Sequence, residues 1–471
     1  MDQMKSAEEL ISEKMKANGL SEELIQDFLL KMDRVRKGET GKVDWKTIGD
    51  LDPNLDEISL DEIRKKFPVN VQNLSKLVVI KLNGGLGTSM GLEKAKSLIT
   101  IKDGKSFLEI IATQIQYYRN KFGVEIPLLL MDSYNTQEDC AELLKKISFK
   151  QNFPTSFLQN KVPRLLQKDF SPIETKDEKE GWCPPGHGDI YLSLKQTGIL
   201  KDLINAGFKY AFISNGDNLG ATIEPHILEY LLQENLDFVM EMTPKTLADT
   251  KGGAIYRKLI DGKFVGLELL ETAQVPKENE SEFSGMGKFR TFSTNNLWIN
   301  LNALEKKLEE GQLRLSLIVN PKKVEGQEVY QLETAMGSAI GNFSKTKGII
   351  IPRERFAPVK KCEDTLIRMS DAYILSEDNS LVMNPKRKEV GLGENLVSLD
   401  DNYYKKLPDF QRLVPVLPSL LYCKTLKVIG EVLFDVAVEM RGDVVIENSS
   451  NEVFKLSSLG KKVLDNEIIK V

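Results

Sequence analysis

Residues 81–100, KLNGGLGTSMGLEKAKSLIT, carry the residue types that hold phosphate. The run Leu77-Val78-Val79-Ile80 predicts a buried strand, and it gives way to a loop with Gly84, Gly85, Gly87 and Gly91 before Lys94 and Lys96. Glycine lets the backbone take positive φ and approach a ligand without a Cβ in the way, so main-chain N–H groups can aim at phosphate oxygens. Lysine adds a mobile point charge. Two familiar spacings fail: GxGxxG would need glycine at Met90, and GxxxxGK[ST] needs a Gly-Lys pair that the loop lacks. On the glycines alone an ordinary turn of an α/β protein stays open; the strand before them and the lysines after them favour a phosphate site.

Three other stretches hold chemistry-bearing side chains. In Pro184-Pro185-Gly186-His187-Gly188-Asp189, one of only two histidines lies between glycines, where packing is a poor reason for it, so a ligand contact is expected. The other, His226 in Glu224-Pro225-His226, sits at a helix start and reads as structural. Ser214-Asn215-Gly216-Asp217-Asn218-Leu219-Gly220 follows the strand-like run 210–213. A carboxylate at the end of a strand, beside a glycine that bares backbone, is placed to hold Mg²⁺ between phosphate oxygens, which makes Asp217 a metal candidate. Asn-Gly-Asp is also good turn chemistry. In residues 353–366, RERFAPVKKCEDTL, Pro358 fixes the backbone just before Lys360 and would aim one cation, although composition alone favours a solvated basic loop.

Elements that position these residues follow from periodicity and capping. Residues 6–36 read as two helices: Ser6 to Glu9 is a capping box, Gly19 a stop, Ser21 a second cap, and Leu24, Ile25, Phe28 and Leu29 one buried face. Trp45 reads as a packing anchor. From Leu77 strands alternate with helices. Residues 98–101 read as a strand, Asp103-Gly104 as a turn, and Ser106 to Glu109 as the cap of a helix reaching Gly123; 126–131, 210–214 and 238–242 read as further strands. The alternation predicts an α/β fold with a mostly parallel sheet and ligands at its strand ends. Beyond about residue 385, Leu420, Leu426, Val432, Val438 and Val444 recur every six residues, with Gly430 and Gly442 two places before a valine. That period suits a hexapeptide-repeat β-helix, with a β-meander as the alternative.

A chain of 471 residues holds roughly two or three domains, and 41% hydrophobic with 28% charged residues is ordinary for a globular protein. Lys+Arg 64 against Asp+Glu 69 leaves a net charge of −5, so no global positive field draws in nucleic acid or an anionic membrane, and an anionic substrate must be held by local charge. The first residues, MDQMKSAEELISEKMK, are too charged for a signal peptide, and no apolar run approaches about 18 residues. A cytoplasmic location and no membrane partner are expected. Cys140, Cys183, Cys362 and Cys423 are widely spaced without CxxC and read as reduced thiols.

The loop from Lys81 to Gly91, continued by Lys96-Ser97, resembles the nucleotide-binding loop of eukaryotic-type UDP-glucose pyrophosphorylases (UTP:glucose-1-phosphate uridylyltransferases), KLNGGLGTxMG followed by PKS, with Ala95 in place of the usual proline. PPGHGD, PKTLAD at 244–249, TNNLW at 294–298 and RFAPVK at 355–360, where Ala357 replaces a leucine, extend the likeness from about Asp44 into the C-terminal region. It implies a Rossmann-like nucleotidyltransferase core at 76–384, behind a small helical N-terminal region at 1–75 and before a left-handed β-helix at 385–471. The implied reaction is UTP plus glucose 1-phosphate giving UDP-glucose and pyrophosphate, with Mg²⁺, catalysed by Lys96 and Lys360. Leu82, Gly84, Gly85, Met131, Gln159, Gly188 and His187 would contact the nucleotide, Gly188 against uracil and His187 near the phosphates. Asn215, Gly216, Asp217, Gly252, Glu271, Thr294 and Asn296 would contact sugar and phosphate. Self-association through the C-terminal domain is a further expectation. Alternatives are a broader UDP-sugar or UDP-N-acetylhexosamine pyrophosphorylase, whose loops are of GTRLG type where this chain has Thr88-Ser89-Met90-Gly91, and a non-catalytic nucleotide-sugar sensor.

Overall fold

The computed structural model describes residues 5–245 and 252–471, which form two compact units. The first comprises Met1–Ile80, Phe157–Ile213 and Glu224–Pro352. Its sheet orders the strands Glu57–Ser59, Thr346–Ile350, Phe238–Pro244, Thr291–Asn300, Tyr210–Asn215 and Leu77–Leu82. Tyr210–Asn215 and Phe238–Pro244 both run antiparallel to Thr291–Asn300, so they point the same way. Thr346–Ile350 and Glu57–Ser59 continue in that direction. The sheet is therefore mostly parallel, with Thr291–Asn300 reversed against its neighbours. Tyr210–Asn215 and Phe238–Pro244 are buried almost throughout, and Trp298 stacks on Phe212 at a ring distance of 4.4 Å in the middle. A bulge between Glu241 and Met242, with Asn295 at φ 58°, shifts the register at the strand end.

The two N-terminal helices, Ala7–Ala17 and Glu22–Arg36, form as their caps predict. Ser6 and Glu9 complete a reciprocal capping box, and Ser21 accepts from Leu24 N–H. Ile11, Met15, Leu24, Ile25 and Phe28 pack with Trp182, Leu317 and Leu332 of the same unit. Trp45 stands against Phe289 and donates to Glu282, a packing anchor with its polar end satisfied. His226 Nδ1 lies 2.9 Å from Glu224 Oε1 and donates to that carboxylate, in keeping with a structural histidine.

The second unit comprises Lys81–Ser156, Ser214–Ile223 and Arg353–Val471. Its helix Phe107–Phe122 starts at the Ser106/Glu109 capping box and stops at left-handed Gly123, with Phe107, Ile110, Ile111 and Tyr118 buried. One expected strand starts late. Residues 96–98 form a 3₁₀ turn, closed by Ile99 N–H on Lys96 C=O, and the strand runs Thr100–Lys102 before left-handed Asp103 and Gly104. The apolar residues there serve a turn that brings Lys96 back toward the glycines.

In the C-terminal part Leu396–Ser398, Ser419–Ile429 and Glu439–Glu447 are parallel neighbours, and Val463–Asp465 and Ile468–Lys470 add to the last of them in parallel. Val432–Leu433 pairs in parallel with Phe454–Lys455. All five residues of the six-residue series are at most 3% exposed. Leu426 lies opposite Val444, three such intervals on. Gly430 has φ 77° and could not carry a Cβ, which would meet Asn448 C=O at 2.1 Å.

Candidate functional site

Within the second unit, three segments distant in sequence interlock. Lys81 is only 2% exposed, and its ammonium donates to Ser214 Oγ at 2.7 Å and to Ala221 C=O at 2.8 Å. Next to it, Leu82 C=O accepts from Gly216 N–H at 3.0 Å, and Asn83 N–H donates to Met131 C=O at 2.8 Å. A Cβ on Gly216 would stand 3.0 Å from Leu82 C=O, so glycine permits the approach. Gly85 is different: no atom lies within 4 Å of the place its Cβ would take.

The loop then returns. Leu86 and Ala95 form an antiparallel bridge, and Lys96 N–H donates to Gly85 C=O at 3.3 Å. Ala95 adopts φ −54° and ψ 131°, a conformation that proline would fix, so its departure from the family pattern leaves the approach to Lys96 intact. The Lys96 ammonium reaches Asp217 Oδ2 at 2.7 Å. On the other side of Asp217 lies the RFAPVK segment. Val359 N–H donates to Asp217 C=O at 3.2 Å, Ala357 N–H to Asn218 Oδ1 at 2.9 Å, and Asn218 Nδ2 to Arg355 C=O at 3.3 Å. Lys360 follows immediately, its side chain exposed and its N–H on Asp364 Oδ2 at 2.7 Å. The same Asp364 oxygen accepts from Lys361, which starts the helix Cys362–Met369. Asp217 is thus held by a cation through its side chain and by the Lys360 segment through its backbone. Gly220 makes room for this packing, since a Cβ there would be 2.4 Å from Glu354 C=O. Gly220→Ala should lower stability by about 1–3 kcal/mol, readable as a reduced thermal midpoint.

The remaining candidates belong to the first unit. Asp189 is the organiser of PPGHGD: its carboxylate accepts from Asn160 N–H at 2.6 Å, Asn160 Nδ2 at 2.9 Å and Ser193 Oγ at 2.8 Å, tying the segment with Gln159 to that with Gly188. Gly186 and Gly188 lie against Thr334, where a Cβ would come within 2.4 Å and 2.5 Å of its atoms. These glycines therefore serve close packing as well as any ligand. His187 Nδ1 accepts from Met336 N–H at 3.0 Å, which leaves its proton on Nε2, and desolvation pushes the imidazole down to about 4. At neutral pH it is a neutral donor, not a cation.

Glu271 ends the strand Lys263–Leu270, with an oxygen 3.0 Å from where a Gly253 Cβ would stand. Gly252 N–H donates to Thr272 Oγ1 at 3.3 Å, and a Cβ on Gly252 would press on Phe292 at 2.9 Å. Burial pushes the Glu271 carboxyl up to about 6. Thr294 and Asn296 are fully buried: Thr294 Oγ1 donates to Glu241 C=O at 2.8 Å and Asn296 Nδ2 to Glu241 Oε2 at 3.1 Å. Lys251 and residues 246–249 of the PKTLAD stretch lie outside the described residues.

Two buried acids carry no motif and emerge only from the fold: Asp132 and Glu241. Glu241 also accepts from Trp298 Nε1 at 2.9 Å, so one carboxylate fixes two side chains of TNNLW. A lone acid inside an otherwise apolar strand, as in Leu128–Asp132 and Phe238–Pro244, is the signal that could have found both. Among the described residues no group of three or more His, Cys, Asp or Glu could hold a metal ion, which leaves Asp217 as a single carboxylate beside the phosphate-type loop. That donor set fits Mg²⁺, which commonly takes one or two carboxylates and completes its shell with substrate phosphates and water.

Comparison with known proteins agrees with this arrangement. A family model described as UTP--glucose-1-phosphate uridylyltransferase matches residues 25–441. A protein of that name from Pyrus pyrifolia is 43% identical over 383 residues, covering 80% of this chain and 79% of the relative. One from Saccharomyces cerevisiae is 40% identical over 441 residues, covering 92% and 86%. Among solved structures, a UDP-glucose pyrophosphorylase mutant from Leishmania major in complex with UDP-glucose aligns over 100% of both chains with TM-score 0.89 at 38% identity. UDP-glucose phosphorylase from Trypanosoma brucei aligns over 99% of both with TM-score 0.86 at 40% identity. With its glycine loop, its Asp217 clasp and near full-length agreement with these proteins, the chain belongs to the UTP–glucose-1-phosphate uridylyltransferase family.

Proposed function

We propose that this chain transfers the uridylyl group of UTP to glucose 1-phosphate, giving UDP-glucose and pyrophosphate. A phosphate oxygen of the sugar substrate forms a bond to the α-phosphorus of UTP while the bond to the β-phosphate oxygen breaks, and pyrophosphate leaves in line. No protein nucleophile is needed. Two anions must meet, so the chain's task is to position them and neutralise the charge that gathers at the α-phosphate and bridging oxygen. The single observation that carries this reading is the interlocking of Lys96, Asp217 and the backbone leading to Lys360. One lysine 4 Å from a phosphate oxygen is worth about 4 kcal/mol at an effective dielectric near 20, before desolvation.

In this reading Lys96 holds the nucleotide phosphates and Lys360 meets the attacking sugar phosphate and the transition state. Leu82, Gly84 and Gly85 present main chain to the nucleotide, and Met131, Gln159 and Gly188 contact its base. His187, neutral at physiological pH, offers Nε2–H to a phosphate or ribose oxygen. Asn215, Gly216 and Asp217, with Gly252, Glu271, Thr294 and Asn296, recognise sugar and phosphate. Asp217 would hold Mg²⁺, which when bound offsets charge on the triphosphate. If Glu271 accepts from sugar hydroxyls, kcat/KM for glucose 1-phosphate should fall as the pH drops through about 6, where its carboxylate takes up a proton. Glu271→Gln should lose that part of the pH profile, and the substrate's own titration, common to both enzymes, cancels in the comparison.

The same reading divides the chain into a helical lead-in at 1–75, a Rossmann-like catalytic part at 76–384 and a left-handed β-helix at 385–471, whose parallel ladders and buried six-residue series support the last assignment. An open end of such a coil suits self-association. A cytoplasmic site of action is in keeping with the absence, among the described residues, of any helix long and apolar enough to cross a membrane. Pyrophosphate release from UTP, assayed over glucose, galactose and N-acetylglucosamine 1-phosphates, tests the proposal. Glucose 1-phosphate should be strongly preferred; equal use of all three would make the enzyme a broad UDP-sugar pyrophosphorylase, and no release would leave a binding protein.

A further inference from the structure

Beneath the glycine loop lies a set of buried polar side chains that none of the assigned roles uses. Asp132 ends the strand Leu128–Asp132 and is 0% exposed. Its Oδ1 accepts from Asn83 Nδ2 at 2.6 Å and from Thr136 Oγ1 at 3.3 Å, whereas Oδ2 has no hydrogen-bond partner among the described residues. Asn83 is the first residue after the strand that feeds the loop. Its Nδ2 also lies 3.1 Å from Cys140 Sγ, which in turn is 3.7 Å from Ser97 Oγ, beside Lys96 at the loop's far end. Asn83, Ser97 and Cys140 are all buried. The other amide atom, Asn83 Oδ1, faces Gly216, where a Cβ would stand 3.4 Å from it.

This arrangement is costly. A buried carboxylate with one oxygen unpartnered loses hydration that the bonds from Asn83 and Thr136 to the other oxygen do not return, and burial pushes this carboxyl up to about 6. An apolar residue at the end of the strand would pack without that penalty. What the acid supplies is direction: an acceptor-only group fixes which end of the Asn83 amide is Nδ2, and the short bond holds it there. The amide then spans three places at once: the start of the glycine loop, the Gly216-Asp217 segment, and, through Cys140, the Ser97 end.

We propose that Asp132 is a positioning residue for nucleotide binding, which through Asn83 locks the two ends of the glycine loop so that Gly85 and Lys96 are presented together to the triphosphate. It touches no substrate itself. The inference rests on the loop being the nucleotide site, and the test separates the two claims. Steady-state kinetics and thermal midpoints would be compared for the full-length wild type, Asp132→Ala, Asp132→Asn, Asn83→Ala and Gly85→Val. Asp132→Ala is expected to raise KM for UTP about tenfold, with KM for glucose 1-phosphate within about twofold of the wild type. Asp132→Asn, which keeps an acceptor oxygen for Asn83, should restore most of the loss. Asn83→Ala breaks the same link from the loop side and should show the same split, which keeps the proposal open to test if Asp132→Ala does not fold. Equal rises in both KM values, an unchanged KM for UTP, or failure of Asp132→Asn to rescue would overturn it. Gly85→Val reports on the loop alone. If it raises KM for UTP while the Asp132 and Asn83 variants do not, only the clamp is wrong; if it leaves KM for UTP unchanged, the loop assignment falls with it.

Discussion

Lys360→Ala is expected to lower turnover by roughly 10²-fold or more, with KM for UTP little changed and the fold intact. The fold should survive because the side chain is exposed and because the local structure depends on main-chain groups: Lys360 N–H on Asp364 and Val359 N–H on Asp217 do not involve the ammonium. The loss should fall on kcat because an interaction realised mainly in the transition state does little for ground-state binding. Lys361 stands next in the chain and could in principle supply a charge. Lys361→Ala is the matched control, expected to leave turnover within a few-fold of the wild type. Near-normal turnover in Lys360→Ala, with circular dichroism unchanged, would remove the assignment.

Asp217→Asn should cost a comparable or larger factor, roughly 10²- to 10³-fold in kcat/KM for UTP. Two effects combine. The substitution removes the anion that receives the Lys96 ammonium at 2.7 Å, and it removes the carboxylate proposed above to hold Mg²⁺. Raising the Mg²⁺ concentration should recover part of the lost rate if the second effect is the larger, because a neutral amide oxygen binds the ion weakly but does bind it. The main-chain links of Asp217 and Asn218 to residues 355–359 remain, so the thermal midpoint should change little. A variant with full activity and an unaltered Mg²⁺ dependence would show that Asp217 serves only as the partner of Lys96.

Local signals in the sequence translated directly into structure. The Ser6/Glu9 and Ser106/Glu109 capping boxes formed because both partners lie within one turn, and Gly123 stopped its helix because it could enter the left-handed region. The six-residue series is buried at every member, and Leu426 and Val444 face each other across a parallel ladder. Long-range pairings were less visible. Nothing near Asp217 in sequence announces that Lys96 will reach it, or that Val359 will bond its carbonyl. The buried acids Asp132 and Glu241 were missed for the same reason: their value lies in partners brought by other segments. His187 illustrates a further limit. Its glycine flanks suggested a ligand contact, but whether the ring is charged depends on desolvation and on Met336 N–H, both supplied by the folded unit. The late start of the strand at Thr100 shows an apolar run serving a turn instead of a strand.

The most direct measurement is a structure of this enzyme with glucose 1-phosphate, Mg²⁺ and a UTP analogue whose α–β bridge cannot be cleaved. The Lys96 and Lys360 ammonium groups should each lie within about 4 Å of oxygens of the same bound substrate pair, with the triphosphate over Gly84 and Gly85. A nucleotide bound away from the glycine loop, or a Lys360 ammonium too distant to reach either phosphate, would contradict the account.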